Sequence, residues 1–140
     1  MTDACIFCEI VAGRAEASVA YEDDATLAFM DLGQFHPGHT LVVSKAHIAD
    51  LFSLDEATGA AMMAAISRVA RAVRDAFGPD GINLWQSNGA PWQEVFHLHV
   101  HVLPRWRDDG LIQFRPPRSR PTRAELDTQA AKIVAALAAR

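Results

Sequence analysis

Three histidines alternate with apolar residues in the segment His97-Leu98-His99-Val100-His101. Side chains of a β-strand point alternately to its two faces, so an extended backbone here places all three imidazoles on one face. Leu98, Val100 and Val102 then point to the opposite face and into a core. Three polar rings on an otherwise apolar strand are costly unless they have partners, so the pattern indicates a functional site.

Two kinds of chemistry suit this row of imidazoles, and the spacing alone leaves both open. One is metal ligation, because His-x-His pairs on a strand can hold zinc. The other is nucleophilic catalysis, in which the central ring, His99, attacks while its neighbours orient it and hold charge. A neutral imidazole is a good nucleophile near pH 7 when one ring nitrogen is fixed as a donor and the other stays free. The preceding segments, Asn88-Gly89 and Gln93-Glu94-Val95, predict a loop that holds an anion.

The two cysteines form a single motif, Cys5-Ile6-Phe7-Cys8. In an oxidising compartment they would close only a very small loop, whereas in a reducing one the spacing suits a metal clamp or a redox dithiol. One Cys-x-x-Cys pair is by itself a weak signal of metal binding and needs further ligands. The other histidines, His36, His39 and His47, flank an apolar segment and form a second group.

Short β-prone segments and two amphipathic helical patterns must position these groups. The predicted strands, preceded by a short turn or helix over Phe7–Val11, are Ser18–Tyr21, Thr26–Met30, Thr40–Ser44, Ile82–Gln86 and Phe96–Leu103. The order is strands, a long helix, strands and a terminal helix. This order predicts an α+β domain with a mainly antiparallel sheet.

The long helix is predicted to begin at the capping-box motif Ser53-Leu54-Asp55-Glu56 and to end at Gly78-Pro79. Its apolar stripe, which predicts core or subunit packing, consists of Met62, Ile66, Val69, Val73 and Phe77. The motif Thr122-x-x-Glu125 predicts the start of the terminal helix, whose stripe consists of Leu126, Ala130, Ile133 and Leu137. The segment Arg105–Arg123, rich in arginine and proline, is expected to be an exposed loop.

The composition excludes several classes of protein. A chain of 140 residues suits one compact domain, and a content of 50% hydrophobic and 21% charged residues argues against disorder. The net charge of −4 argues against nucleic acid as a partner. No apolar run approaches the ~18–20 residues needed to cross a bilayer, and the chain does not start like a secretory signal. We therefore expect a cytoplasmic protein without a membrane partner.

Several motifs carry a family resemblance over nearly all of residues 5–104. They are Cys5-Ile6-Phe7-Cys8-Glu9-Ile10-Val11, Tyr21-Glu22-Asp23, Ala28-Phe29-Met30-Asp31, Gly38-His39-Thr40-Leu41-Val42-Val43-Ser44-Lys45-Ala46-His47, Asn88-Gly89 and Gln93-Glu94-Val95-Phe96-His97-Leu98-His99-Val100-His101. With these motifs the chain resembles the histidine triad (HIT) family of nucleotidyl hydrolases and transferases. The Cys-x-x-Cys motif resembles that of the bacterial Hint-like branch.

The resemblance implies a HIT-like α+β fold with a mainly antiparallel five-stranded sheet, one long helix and a C-terminal helix. It also implies a homodimer in which the sheet continues from one protomer into the other. We expect a single HIT domain over residues 1–140. Its core spans about 5–104, and residues 105–140 form the basic loop and the C-terminal helix.

The resemblance also implies a reaction. His99 attacks the α-phosphorus of a purine nucleoside phosphoramidate or phosphoanhydride and forms a nucleotidyl-histidine intermediate. Water then releases the nucleoside monophosphate. His101 and His39 line the phosphate site as catalytic partners. Glu94 lies where relatives often carry a hydroxyl that helps to protonate the leaving group.

The same resemblance implies the substrate contacts. Asp31 accepts the ribose hydroxyls, a role that suits a carboxylate with two acceptor oxygens. Phosphate oxygens contact the loop that contains Asn88, Gly89 and Gln93, and Glu94 adjoins this site. The purine lies in an apolar slot formed by Phe7, Ile10, Phe29 and Leu32.

The resemblance further implies a structural zinc ion. Its ligands are Cys5, Cys8, His47 and His97. Two thiolates and two imidazoles are the closed tetrahedral set expected of a structural site. On this interpretation the metal attaches the N-terminus to the catalytic strand and takes no part in the chemistry.

Two other functions remain as alternatives. The first is a purine nucleotide-binding regulatory module with little turnover, which Glu94 favours because a carboxylate could protonate the leaving group only with a raised pKa. The second is a metalloenzyme with zinc at the three alternating imidazoles.

Overall fold

The protein is described by a computed structural model that covers residues 5–111 and 118–140. The predicted exposed loop Arg105–Arg123 therefore lies partly outside the described residues. The helices are α1 (Ile6–Val11), α2 (Glu56–Phe77) and α3 (Arg123–Ala138), and the strands are β1 (Val19–Glu22), β2 (Thr26–Met30), β3 (Thr40–Ser44), β4 (Gly81–Trp85) and β5 (His99–Arg105). The chain divides into two compact units, one ending at Asp109 and one beginning at Gly110.

The first unit contains a five-stranded sheet in the order β1-β2-β3-β5-β4, in which every neighbouring pair is antiparallel. One face of the sheet packs under α2, where Val42 and Val102 meet Ile66 and Val69 in a buried apolar cluster. The other face packs against α1 through a second cluster that contains Phe7. This architecture confirms the α+β prediction.

Helix α2 begins two residues later than the capping box predicts. Its N-cap is Asp55, whose carboxylate accepts from the backbone N–H of Thr58 at 2.9 Å. Ser53 instead ends a single 3-10 turn, Leu51–Ser53, which is capped by Asp50. The prediction of Ser53 as N-cap was wrong because two aspartates provide the capping carboxylates in this segment. Asp50 caps the 3-10 turn that ends at Ser53, and Asp55 caps α2.

The C-terminal end of α2 contacts the loop before β3 through Gly38. Met62, Ile66, Val69 and Val73 are buried as predicted, whereas Phe77 is half-exposed. The backbone of Gly38 has φ 96°, and a Cβ there would lie 2.8 Å from the Phe77 ring. Only glycine tolerates this conformation and this close approach, so the residue fixes the path of the chain next to His39.

Strand β5 begins at His99 and not at Phe96. His99 is paired with Val43, near the end of β3. The preceding residue, Leu98, donates its N–H to the carbonyl of Ile48 at 2.6 Å and so leaves the ladder. The predicted start was wrong because β3 ends one residue after Val43 and provides no further partner.

The second unit contains α3. Thr122 and Glu125 form the predicted capping box, with the Thr122 hydroxyl accepting from Glu125 N–H and the Glu125 carboxylate accepting from Thr122 N–H. The apolar stripe of α3 is not buried.

The extent of the domain, 1–140, stays a prediction. Among the residues that the structure describes, no helix combines the length and apolar character needed to span a bilayer.

Candidate active site and metal centre

The register of the β3–β5 pair brings two groups of histidines together. His39 lies directly before β3, and His101 pairs with the second residue of that strand. His99 pairs with β3 two residues further along. Val100 and Val102 pack on the α2 side of the sheet, and His99 contacts Phe7 on the other side. The alternation in the sequence therefore predicted the correct faces for β5.

His99 has the hydrogen bonding expected of a neutral nucleophile. Its Nδ1 lies 2.6 Å from the backbone carbonyl oxygen of His97. A carbonyl oxygen can only accept, so Nδ1 carries the proton and the lone pair lies on Nε2. The Phe7 ring meets this imidazole edge-on with ring centroids 5.1 Å apart. One nitrogen is thus held as a donor, and the other keeps a lone pair for reaction.

His39 and His101 form a hydrogen-bonded pair next to His99. His39 Nε2 lies 2.9 Å from His101 Nδ1. The backbone N–H of Phe35 donates to His39 Nδ1 at 3.4 Å, which leaves the His39 proton on Nε2. His101 therefore accepts at Nδ1 and carries its own proton on Nε2. This proton is the one that His101 can donate to an anion.

Asp31 adds a carboxylate to this pair. Its Oδ1 accepts from the N–H of Gly33 at 2.9 Å, and its Oδ2 lies 3.3 Å from His39 Nε2 and 3.6 Å from His101 Nδ1. The Asp31 side chain remains partly exposed. Asp31 is thus placed beside the histidines, while its predicted contact with ribose stays a prediction.

Burial keeps both paired imidazoles neutral near pH 7. It lowers the pKa of His101 from 6.5 to about 4, with further lowering by His99 and His39 and an opposing effect of Asp31. Burial also lowers the pKa of His39, and here too the Asp31 carboxylate acts in the opposite direction. Neutral rings have the fixed tautomers described above, so the proton positions hold over the physiological pH range.

Two aromatic rings that the sequence analysis did not select support this pair. Trp85 stacks on His101 with ring centroids 4.5 Å apart and an interplanar angle of 18°. Phe35 stacks on His39 at 5.6 Å and 20°. Trp85 is the cross-strand partner of His101 in the β4–β5 pair. Its position in the predicted strand Ile82–Gln86 was the available signal, but using it requires the strand pairing.

The loop before β3 is held by a further contact that the sequence pattern did not indicate. His36 Nε2 lies 3.0 Å from Asp109 Oδ2. The Arg105 guanidinium donates to both oxygens of the same carboxylate, at 2.6 and 2.9 Å. The carboxylate is only 5% exposed, so these partners offset the cost of burying its charge. The loop that carries Phe35 therefore lies next to the end of β5.

Three of the four residues expected to form the purine slot come together. Phe7, Ile10 and Phe29 belong to one apolar cluster on the α1 side of the sheet, where the Phe7 and Phe29 rings meet edge-on at 5.4 Å. Leu32 is fully exposed and is not part of this cluster. The structure therefore does not bring Leu32 to the other three.

Gln93 uses its buried side chain to shape the predicted phosphate loop. Its amide donates to the carbonyls of Ala49 and Val95 at 2.6 and 3.1 Å, and its Oε1 accepts from Gly89 N–H at 3.0 Å. These bonds fix the loop from inside. Direct contact of the Gln93 amide with phosphate stays a prediction.

Asn88 also bonds within the protein. Its Oδ1 accepts from the N–H of Leu51 at 2.8 Å, and its amide exchanges hydrogen bonds with Gln86 at 2.6 and 2.7 Å. The neighbouring Glu94 is exposed. Asn88 thus joins the loop to the turn before α2, and its predicted contact with phosphate is untested.

Cys5, Cys8, His47 and His97 form a second cluster, with all four ligand atoms within 4.8 Å of one another. Cys8 Sγ lies 3.2 Å from His47 Nδ1 and 3.5 Å from His97 Nδ1, and Cys5 Sγ lies 3.4 Å from His97 Nδ1. Tetrahedral zinc with Zn–S bonds of ~2.3 Å and Zn–N bonds of ~2.0–2.1 Å separates sulfur from nitrogen by about 3.5 Å. The donor set therefore fits zinc.

The hydrogen bonding of His97 also suits a metal ligand. Its Nε2 lies 2.7 Å from the Ser44 carbonyl oxygen, so Nε2 donates and the lone pair on Nδ1 faces the thiols. Burial raises the pKa of the Cys8 thiol, and the neighbouring Cys5 raises it further. Metal binding is therefore expected to displace protons from the cluster.

The structure does not support zinc at the three alternating imidazoles. Among the described residues, His97 groups with the two cysteines, whereas His101 groups with Asp31 and His39. His99 belongs to neither group. The hypothesis was wrong in its ligands because the chain leaves the strand ladder between His97 and His99.

The fold and the arrangement of histidines define a histidine triad protein. The family model of the HIT domain matches residues 12–108, and the chain belongs to this family. The chain has the Cys-x-x-Cys motif near His47 and His97 that the Hint-like resemblance predicted.

Two relatives illustrate the similarity in sequence. The chain is 42% identical to Protein hit of Bacillus subtilis (strain 168) over 108 residues, which cover 76% of this chain and 74% of that protein. It is 33% identical to adenylylsulfatase HINT3 of Arabidopsis thaliana over 131 residues, which cover 93% of this chain and 66% of the plant protein.

Two crystal structures illustrate the similarity in fold. A HIT family protein from Bacillus anthracis str. 'Ames Ancestor' has a TM-score of 0.88 and 35% identity, covering 97% of this chain and 99% of its own. A Zn-bound histidine triad family protein from Mycobacterium smegmatis has a TM-score of 0.72 and 40% identity, covering 95% and 97%. A related protein thus binds zinc.

Acidification is expected to destabilise the protein. An unfolded histidine titrates near 6.5, whereas the pKa of His101 in the folded protein is about 4. Between these values the unfolded state binds more protons than the native state, so the free energy of unfolding falls as pH falls. The slope is at most about 1.4 kcal/mol per pH unit for each such histidine. Urea unfolding between about pH 7 and pH 5 measures it.

The variant His101→Gln serves as the control for this prediction, because it removes one titrating group and should flatten the slope. An equal slope in the variant and the parent protein would show that His101 does not contribute.

Proposed function

We propose that the protein is a nucleotidyl hydrolase that cleaves a purine nucleoside phosphoramidate or phosphoanhydride at the α-phosphorus and releases nucleoside monophosphate. The observation that carries this proposal is the 2.6 Å hydrogen bond from His99 Nδ1 to the His97 carbonyl, which leaves a lone pair on Nε2. The relationship to an adenylylsulfatase supports an adenylyl substrate.

The reaction has two displacement steps. His99 Nε2 attacks the α-phosphorus, and the bond from phosphorus to the leaving group breaks as the leaving group takes the bonding electron pair and a proton from solvent water. The Nε2 proton of His101 stabilises the negative charge on the phosphoryl oxygens. Water then attacks the same phosphorus and loses a proton to solvent, and the His99–phosphorus bond breaks as its electron pair returns to Nε2. The neutral His99 imidazole and the nucleoside monophosphate are the products, and the Nε2–H of His39 holds His101 in its tautomer by donating to His101 Nδ1.

The substrate contacts belong to the same proposal. Asp31 accepts from the ribose hydroxyls with Oδ2, and the purine lies against the apolar cluster of Phe7, Ile10 and Phe29. Phosphate oxygens lie at the loop shaped by Gln93. The support is that Phe7 contacts His99 directly and that Asp31 lies beside His39 and His101.

Replacing the nucleophile is expected to abolish turnover while preserving nucleotide binding. The variant His99→Ala should lower kcat for adenosine phosphoramidates by at least about 1,000-fold, the order lost when a covalent nucleophile is removed. AMP affinity, measured by calorimetry, should change far less. In parent protein recovered from a rapidly quenched reaction, the nucleotidyl group should be found on the peptide that contains His99.

Equal turnover by His99→Ala and the parent protein would refute this assignment. Tight AMP binding without hydrolysis of adenylyl substrates that carry amine, sulfate or phosphate leaving groups would instead favour the regulatory binding module. The exposed carboxylate of Glu94 is the feature that favours this second function.

We propose that Cys5, Cys8, His47 and His97 hold a structural zinc ion. The support is the spacing of the four ligand atoms and the zinc found in a related histidine triad protein. When bound, the ion supplies four ligand bonds that connect α1 to the start of β5, and it leaves the reaction to His99.

Loss of one zinc ligand is expected to lower stability more than catalysis. The variant Cys8→Ser should lose most of its zinc and lower the free energy of unfolding by more than about 2 kcal/mol, because the ion binds the folded state only. Zinc content is measured by elemental analysis and stability by thermal unfolding. The conservative variant Cys8→Asp, which keeps a ligand, is the matched control. A fall in kcat at unchanged stability would contradict a structural role.

We propose a homodimer in which the sheet continues across the protomers. The support is that β4 lies at an edge of the sheet and carries the half-exposed Leu84. The variant Leu84→Lys should therefore shift the protein toward monomer because it places a charge at this edge. Sedimentation velocity measures the change, with Asp24→Lys as a charge control on an exposed turn. A monomeric parent protein would refute the proposal.

A further inference from the structure

The group formed by Asp31, His39 and His101 holds three metal-ligating atoms close together. We propose that it is a second, exchangeable site for a divalent transition metal such as Zn²⁺ or Co²⁺, and that metal and nucleotide exclude each other there. The ligands are Oδ2 of Asp31, Nε2 of His39 and Nδ1 of His101. Two imidazoles and one carboxylate, with the other positions open, are a known ligand set for such ions.

The distances in this group fit a metal ion with small adjustments. The three ligand atoms are separated by 2.9, 3.3 and 3.6 Å. Bonds of about 2.0–2.2 Å that meet at about 90–110° require separations of about 2.9–3.5 Å. An ion at the centre therefore needs shifts of a few tenths of an ångström in the ligand atoms.

The ligands are also held in place by their surroundings. Gly33 N–H binds the other oxygen of Asp31, and Trp85 and Phe35 stack on the two imidazoles. His39 is fully buried, while the side chains of Asp31 and His101 are 21% and 18% exposed. The group is therefore supported from the protein side and open on another, as an exchangeable site requires.

Metal binding requires one proton to move. His39 carries its proton on Nε2, and this nitrogen must offer its lone pair to the ion. The proton passes through water to Nδ1, so the ring stays neutral and no electrons are exchanged. The cost is the 3.4 Å bond from Phe35 N–H, because this donor would then face another N–H. At 3.4 Å this hydrogen bond is long and therefore weak, so its loss costs little.

The two metal clusters differ in the kind of ligand they offer. The first has two thiolates and closes around the ion, whereas the second has only nitrogen and oxygen donors and an open side. An ion at the second site engages Asp31 Oδ2, the atom that we assign to the ribose hydroxyls. The mutual exclusion of metal and nucleotide therefore rests on the proposed function, but the metal site does not.

Cobalt absorption distinguishes the two clusters. The full chain is first loaded with zinc until the cysteine cluster is filled, and Co²⁺ is then added. We expect a further equivalent of Co²⁺ to bind with visible d–d absorption and without a thiolate-to-cobalt charge-transfer band. The variant Asp31→Asn should weaken this binding by more than about 100-fold, since loss of even an outer-shell partner costs about 10–100-fold.

The matched control is Asp24→Asn, which removes an exposed carboxylate from the β1–β2 turn and should leave the titration unchanged. Circular dichroism and zinc content establish that Asp31→Asn is folded and keeps the cysteine cluster. Absence of Co²⁺ binding to the parent protein, or equal binding by Asp31→Asn, would overturn the proposal.

Adding AMP to the cobalt-loaded protein separates this proposal from the proposed function. Displacement of Co²⁺ by AMP supports both. If Co²⁺ binds to the Asp31 group and AMP does not displace it, the metal site stands and the ribose assignment of Asp31 is wrong. If AMP binds and no Co²⁺ does, the metal site is wrong and the nucleotide site stands.

Discussion

The hydrogen bonds of His97 connect the cysteine cluster to the candidate nucleophile His99. Its Nε2 donates to the Ser44 carbonyl, so its Nδ1 faces the thiols of Cys5 and Cys8, while its own carbonyl accepts from His99. Each of these contacts uses a different atom of the same buried residue. The position of the N-terminal helix and the tautomer of His99 are therefore coupled through one side chain and its peptide group.

The sheet supports this arrangement because its two faces differ in character. The face under α2 is filled by small and branched apolar side chains such as Val42 and Val102. On the other face Phe7 contacts both His97 and His99, so the polar rings lie among aromatic ones. Apolar packing on one side fixes the backbone, and the imidazoles on the other side keep fixed orientations and proton positions.

Much of this fold follows from local patterns. Alternation in β5 gives the faces of His99 and His101, because the pleat of a strand repeats every two residues wherever the strand lies. Apolar residues three and four positions apart in α2 form its buried stripe, because an α-helix repeats about every 3.6 residues. The N-cap of α2 and the start of β5 were predicted wrongly, since competing turns and the end of a partner strand decide such boundaries.

The sequence by itself determined the family and the types of element, and it selected the candidate nucleophile and the four residues that form the cysteine cluster. Only the tertiary structure decided which atom of each imidazole carries a proton and that Trp85 and Phe35 stack on the His39–His101 pair. It also placed Leu32 apart from the cluster of Phe7, Ile10 and Phe29. The direction of a side chain depends on the period of its own strand or helix, and the pattern of apolar residues in the sequence shows that period. A hydrogen-bond partner depends on the register of strands that are distant in the chain, and this register forms only when the chain folds.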